Sequence, residues 1–90
     1  RCGGEEFACV LPATDSAGAR NLAEHIRLGV LAQALEHAQS GTHDHVTISL
    51  GVATVVPRAD EPHQALVDLA DAALYEAKSA GRNRHVLKER

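Results

Sequence analysis

The run VTISLGVATVVP, residues 46–57, most constrains what this chain can fold into. Its β-branched residues are stiff about χ1 and fit a pleated surface better than a helix. The run predicts a strand from about Val46 to Val56. A strand leaves its backbone N–H and C=O groups unpaired until a neighbour joins it, so the chain has to build a sheet. Gly51 interrupts the run and predicts either a bulge or a close backbone approach.

The flanking segments supply the other layers. FACVLP, residues 7–12, is a short apolar run ended by Pro12 and reads as a buried strand with apolar residues on both parities. Gly3-Gly4 before it is a hairpin-type turn signal, whose other strand is expected to precede Arg1. Thr14, Asp15 and Ser16 offer N-cap oxygens for a helix from about Ser16 to about Leu31. Ala19, Leu22, Ala23, Ile26 and Val30 make its apolar stripe, with Arg20, Glu24 and Arg27 toward water. LAQALEHAQSGTHDH is irregular and ends in a polar loop. After the central strand, Asp60 or Glu61 is expected to cap a second helix with Pro62 in its first turn. That helix runs to about Ser79, with Ala65, Leu66, Leu69, Ala73 and Ala77 as its stripe. Gly81 is placed as its C-cap glycine, and a short last strand follows near His85 to Leu87. The order strand, helix, strand, helix, strand predicts an α+β sandwich, helices against a sheet.

Composition narrows the function classes. The 90 residues include no methionine and open on Arg1, so the chain is expected to be a piece of a longer protein. Apolar residues make up 44%, which fits a globular chain, and Phe7 and Tyr75 are the only aromatics, leaving Leu, Val, Ile and Ala to form the core. A net charge of -3 gives no basic face, so binding to a nucleic-acid polymer is not expected. Neither a signal peptide nor an apolar run of membrane-spanning length occurs. Cys2 and Cys9 form no CxxC pair and read as reduced thiols of a cytoplasmic protein.

Two constellations carry chemistry. In Gly3-Gly4-Glu5-Glu6 the glycines let the backbone approach a bulky anion, and adjacent carboxylates at the start of a strand point to opposite faces. Carboxylates beside a phosphate-sized gap suit Mg²⁺, although by spacing alone the stretch is more often an ordinary acidic turn. Lys78 and Arg82, four apart at a helix end, can reach one anion or simply complement the helix dipole. His37, His43 and His45 with Asp44 raise a zinc site, but no fourth ligand is placed and a solvated loop is the better reading. His63 and His85 read as surface residues.

Taken together the motifs resemble one family. RCGGEEF is similar to the signature R-x-G-G-[DE]-E-F of the GGDEF-domain diguanylate cyclases. VTISLGVA resembles their V-T-x-S-x-G-V-A strand, and ADAALYEAKSAGRNR their A-D-x-A-L-Y-x-A-K-x-x-G-R-N helix and turn. LAEHIR corresponds to the helix after the signature, and LEHAQS resembles a loop variant of part of the family. The resemblance covers essentially all 90 residues.

The resemblance implies a palm-like nucleotidyl-cyclase fold, of which residues 1–90 would be the C-terminal part. It implies a module that condenses two GTP into cyclic di-GMP with release of pyrophosphate, using Mg²⁺ or Mn²⁺. Two such domains would meet as a homodimer, in a protein carrying an upstream sensor domain. By motif position Gly3 and Gly4 lie against GTP, and Glu5 is metal ligand and proposed base. Glu6 is implied as a second catalytic and metal-site residue, Phe7 anchors the strand, and Lys78 and Arg82 contact the phosphates. Asp71, Leu74 and Tyr75 are structural. The first-strand metal Asp, the guanine-reading residues and the R-x-x-D inhibition motif are expected upstream, outside this chain. His25 stands where some members place a second inhibitory arginine. The isolated 90 residues are expected to be inactive and unstable. The alternative function is a non-catalytic GGDEF module that binds GTP or a partner domain and regulates a neighbour.

Overall fold

The computed structural model describes residues 6–39 and 47–90. They form α1 (Ser16–Gln39), β1 (Leu50–Thr54), α2 (Gln64–Ser79) and β2 (His85–Glu89). β1 and β2 pair in parallel, in a register that sets Leu50 opposite His85 and Thr54 opposite Glu89. The ladder continues past both ends, because Leu50 N donates to Arg84 O at 3.0 Å and Arg90 N to Thr54 O at 3.0 Å.

Among the described residues both helices pack against both strands and not against each other. The strand parity shows why. His85 and Glu89 reach α1, through Glu24 and Ser16, while Lys88 reaches Glu76 of α2. Residues 85 and 89 share a parity that 88 does not, so the helices lie on opposite faces of the strand pair. This is the expected α+β sandwich.

Gly51 is where β1 meets α2. A Cβ built there would lie 2.3 Å from both Ala70 O and Leu74 N. No side chain fits in that gap, so the central glycine marks a close backbone approach, not a bulge. Among the described residues the buried apolar side chains are all alanines: Ala19, Ala23, Ala34, Ala73 and Ala77.

The ends of the helices follow local chemistry. Asp15 caps α1, its Oδ1 accepting from Gly18 N at 2.8 Å. α1 runs on to Gln39, past the expected end near Leu31, because residues 32–39 hold strong helix formers and no Gly or Pro. α2 starts at Gln64, with His63 as an N-cap that makes no side-chain bond. The expected Asp60 or Glu61 cap does not form; Glu61 is engaged by Arg90 from the end of β2. Residues 7–12, expected as a buried strand, form no strand, and Phe7 and Val10 are 79% and 81% exposed. A lone extended segment has no ladder to fix its backbone, and the sheet among the described residues joins only β1 to β2.

Candidate functional site

The last turn of α2 gathers the residues of interest. Ala80 N donates to Glu76 O at 2.9 Å, Gly81 N to Lys78 O at 3.4 Å, and Arg82 N to Ala77 O at 3.0 Å. The last two bonds are the paired closure of a Schellman motif, with Gly81 at φ +122° just past the cap. The expected C-cap glycine is therefore in place. Arg82 and Asn83 continue with positive φ of 64° and 47°.

Lys78 points from this turn toward the beginning of the chain, where its Nζ donates to Glu6 Oε2 at 3.3 Å. The two residues are 72 positions apart and come from two different motifs. Each side chain is about two-fifths exposed, so the pair contributes little to stability and its interest is positional. Arg82 is exposed, and among the described residues its side chain has no hydrogen-bond or ion-pair partner. Gly3, Gly4 and Glu5 lie outside the described residues.

A second cluster sits beside the turn. Glu24 of α1 takes Arg27 Nε at 2.9 Å and Nη2 at 2.8 Å, and it lies 2.6 Å from His85 Nδ1. An ionised carboxylate only accepts, so Nδ1 carries the proton. Arg27 Nη1 also donates to Asn83 Oδ1 at 3.1 Å. The Arg27 hydrogen bond first, and the His85 bond second, hold the Glu24 carboxyl below its ordinary range. Glu24 and Arg27 were expected on the water side of α1 and His85 on the surface; instead the three form a half-buried link between α1 and β2. An (i, i+3) Glu–Arg pair on a helix reads as solvated in sequence, and only the strand laid across it changes that.

Other candidates take no part in these contacts among the described residues. His25 and His63 are not buried. Cys9 is an exposed free thiol, whereas Cys2, His43, Asp44 and His45 lie outside the described residues, as does the side chain of His37. Tyr75, expected to pack, is 74% exposed, while the backbone of Leu74 is what meets Gly51. A cavity of about 250 Å³ lies at the other end of α2, between Val55, Pro57, Glu61 and Leu66. Among the described residues no three His, Cys, Asp or Glu side chains gather as a metal cluster, and no helix is long and apolar enough to cross a membrane.

A parallel strand pair with a helix on each face, the second helix ending in the turn that sets Lys78 against Glu6, defines an α+β module. The family described as the GGDEF domain of diguanylate cyclases matches residues 1–84. The chain is 41% identical over 83 residues to the response regulator PleD of Caulobacter vibrioides, a match covering 92% of this chain and 18% of that protein. It is 39% identical over 89 residues to the probable diguanylate cyclase DgcT of Escherichia coli, covering 99% of this chain and 20% of that protein. To diguanylate cyclase A of Treponema denticola it is 40% identical over 90 residues, covering 99% of this chain and 23% of that protein. The chain belongs to the GGDEF-domain family, and it spans about a fifth of the length of these curated relatives.

Proposed function

We propose that the protein carrying this chain is a diguanylate cyclase, joining two GTP molecules into cyclic di-GMP and two pyrophosphates as a bacterial second messenger. The observation that carries this reading is the 3.3 Å contact of Lys78 Nζ with Glu6 Oε2, which brings the end of the signature to the end of α2. In the reaction the 3′-oxygen of one GTP forms a bond to the α-phosphorus of the other, the bond to the β-phosphate oxygen breaks, and pyrophosphate leaves. The proton of the 3′-hydroxyl goes to a base, the role assigned to Glu5. Gly3 and Gly4 give the backbone clearance against the nucleotide. Lys78 and Arg82 neutralise the charge that grows on the leaving pyrophosphate.

Mg²⁺ or Mn²⁺ fits the donors that this chain offers. Such an ion, when carried by substrate phosphates, asks one or two carboxylates of the protein. Glu6, which pairs with Lys78, would provide one and Glu5 the other. Bound there, the metal would polarise the phosphate under attack. Because each domain holds one GTP and the product needs two, the working unit is proposed to be a homodimer. An upstream regulatory domain is in keeping with the response regulator among the relatives.

The test is to incubate the intact protein with GTP and Mg²⁺ and to separate the products by chromatography, beside a Glu5→Ala variant. Cyclic di-GMP from the first and none from the second is the expected result. GTP bound but not turned over would replace the cyclase with a regulatory GGDEF module.

A further inference from the structure

The turn that carries Arg82 is unusual in its backbone. Gly81, Arg82 and Asn83 have φ values of +122°, 64° and 47° in succession. Glycine accepts this without penalty and asparagine tolerates it, but arginine with its Cβ does not favour it. A consecutive run of such residues persists only where the surroundings hold it. The Schellman bonds hold the first half, through Gly81 N and Arg82 N. Arg84 Nε donates to Arg82 O at 3.0 Å across the turn.

The second half is held from another element. Arg27 of α1 donates from Nη1 to Asn83 Oδ1 at 3.1 Å. Arg27 is itself fixed by the Glu24 carboxylate, which also grips His85, the residue that opens β2. α1 therefore holds both Asn83 and His85, on either side of Arg84. Arg27 and His85 side chains are only 18% and 16% exposed, so their geometry is set by packing more firmly than in a surface pair.

We propose that Arg27 and Asn83 are positioning residues for Arg82: they lock the left-handed turn so that the guanidinium is presented to the nucleotide phosphates before binding. This rests on the assignment of Arg82 as a phosphate contact in the cyclase reading. Neither residue is assigned a nucleotide contact; their partners are Glu24 and each other. Their effect is preorganisation, which lowers the ordering cost of an ionic contact that would otherwise have to fix a flexible turn.

The experiment uses the intact protein and reads both Mg²⁺–GTP affinity by calorimetry and GTP turnover. Arg82→Ala is expected to weaken affinity by about tenfold, in line with loss of a charge-assisted contact. Arg27→Ala is expected to weaken it several-fold, and the Arg27→Ala/Arg82→Ala double variant to be no weaker than Arg82→Ala alone. Asn83→Gly keeps the backbone conformation but loses the acceptor and should match Arg27→Ala, whereas Asn83→Asp keeps the acceptor and should retain affinity. Multiplicative losses in the double variant overturn the proposal, as does an Asn83→Asp variant no better than Asn83→Gly. If Arg27→Ala does not fold, Asn83→Gly takes its place in the same cycle. Unchanged affinity in Arg82→Ala overturns this proposal together with the phosphate assignment. Tight GTP binding without turnover in the unaltered protein, with the cycle non-additive, overturns the cyclase reading and supports the positioning role.

Discussion

At the scale of single residues, Gly51 has the least freedom. The position faces the α2 backbone at Ala70 and Leu74, so a methyl group there has no flexible side chain to push aside. Gly51→Ala has to part β1 from α2, and overpacking of this kind costs roughly 1–3 kcal/mol. Thermal or urea unfolding of the intact protein should show a loss in that range. Glu24 makes a different prediction, set by pH. Its carboxyl is held below the ordinary range by Arg27 and then His85. A depressed carboxylate contributes its stability above the unfolded-state value, and loses it as pH falls through the folded-state value. The melting temperature of the unaltered protein should therefore exceed that of Glu24→Gln at neutral pH. The two should converge as the solution is acidified below the ordinary carboxylate range. A gap that persists or widens in acid would contradict the sign of this linkage.

At the scale of elements, each helix has a defined anchor at one end. α1 is fixed at its start, where Asp15 Oδ1 accepts from Gly18 N at 2.8 Å and Ser16 Oγ donates to Glu89 Oε2 at 2.6 Å. Asp15→Ala removes the cap and should lower stability by about 1 kcal/mol, with Asp15→Ser restoring most of it. α2 is fixed at its end. The Schellman closure needs Gly81 at φ +122°, where an added Cβ would also lie 2.9 Å from Arg84 Nη2. Gly81→Ala should cost about 1 kcal/mol or more. Because the same turn carries Arg82, it should also lower GTP affinity. A Gly81→Ala variant with lost stability and unchanged affinity would separate the turn from the nucleotide site.

At the scale of the whole molecule, apolar burial among the described residues is thin. The fully enclosed apolar side chains among the described residues are alanines, while Phe7, Val10, Leu28, Val56 and Tyr75 are each more than half exposed. A fully buried Leu or Phe contributes about 1.5–3 kcal/mol, and an alanine methyl much less. The 90 residues taken alone are therefore expected to unfold without a sharp cooperative transition, or to associate. Scanning calorimetry on the dilute chain checks this. A single two-state melt, independent of concentration, would show that the alanine-lined interfaces suffice.

What the sequence determined by itself is the local chemistry. The β-branched run at 46–57 demanded a strand, which the structure confines to Leu50–Thr54, the Ala and Leu stripe of residues 65–77 demanded a helix on it, and Gly81 marked the helix end. Those signals are local because periodicity, branching and turn conformation act within a few residues. The signature and the Lys78–Arg82 pair were legible for the same reason, since each motif is contiguous. The tertiary structure decided what depends on residues far apart. It placed Glu6 against Lys78 and turned Glu24 and Arg27 from an ordinary helix-surface pair into a brace on Asn83 and His85. It also denied residues 7–12 a strand, because apolar pattern proposes a strand but only a paired neighbour makes one.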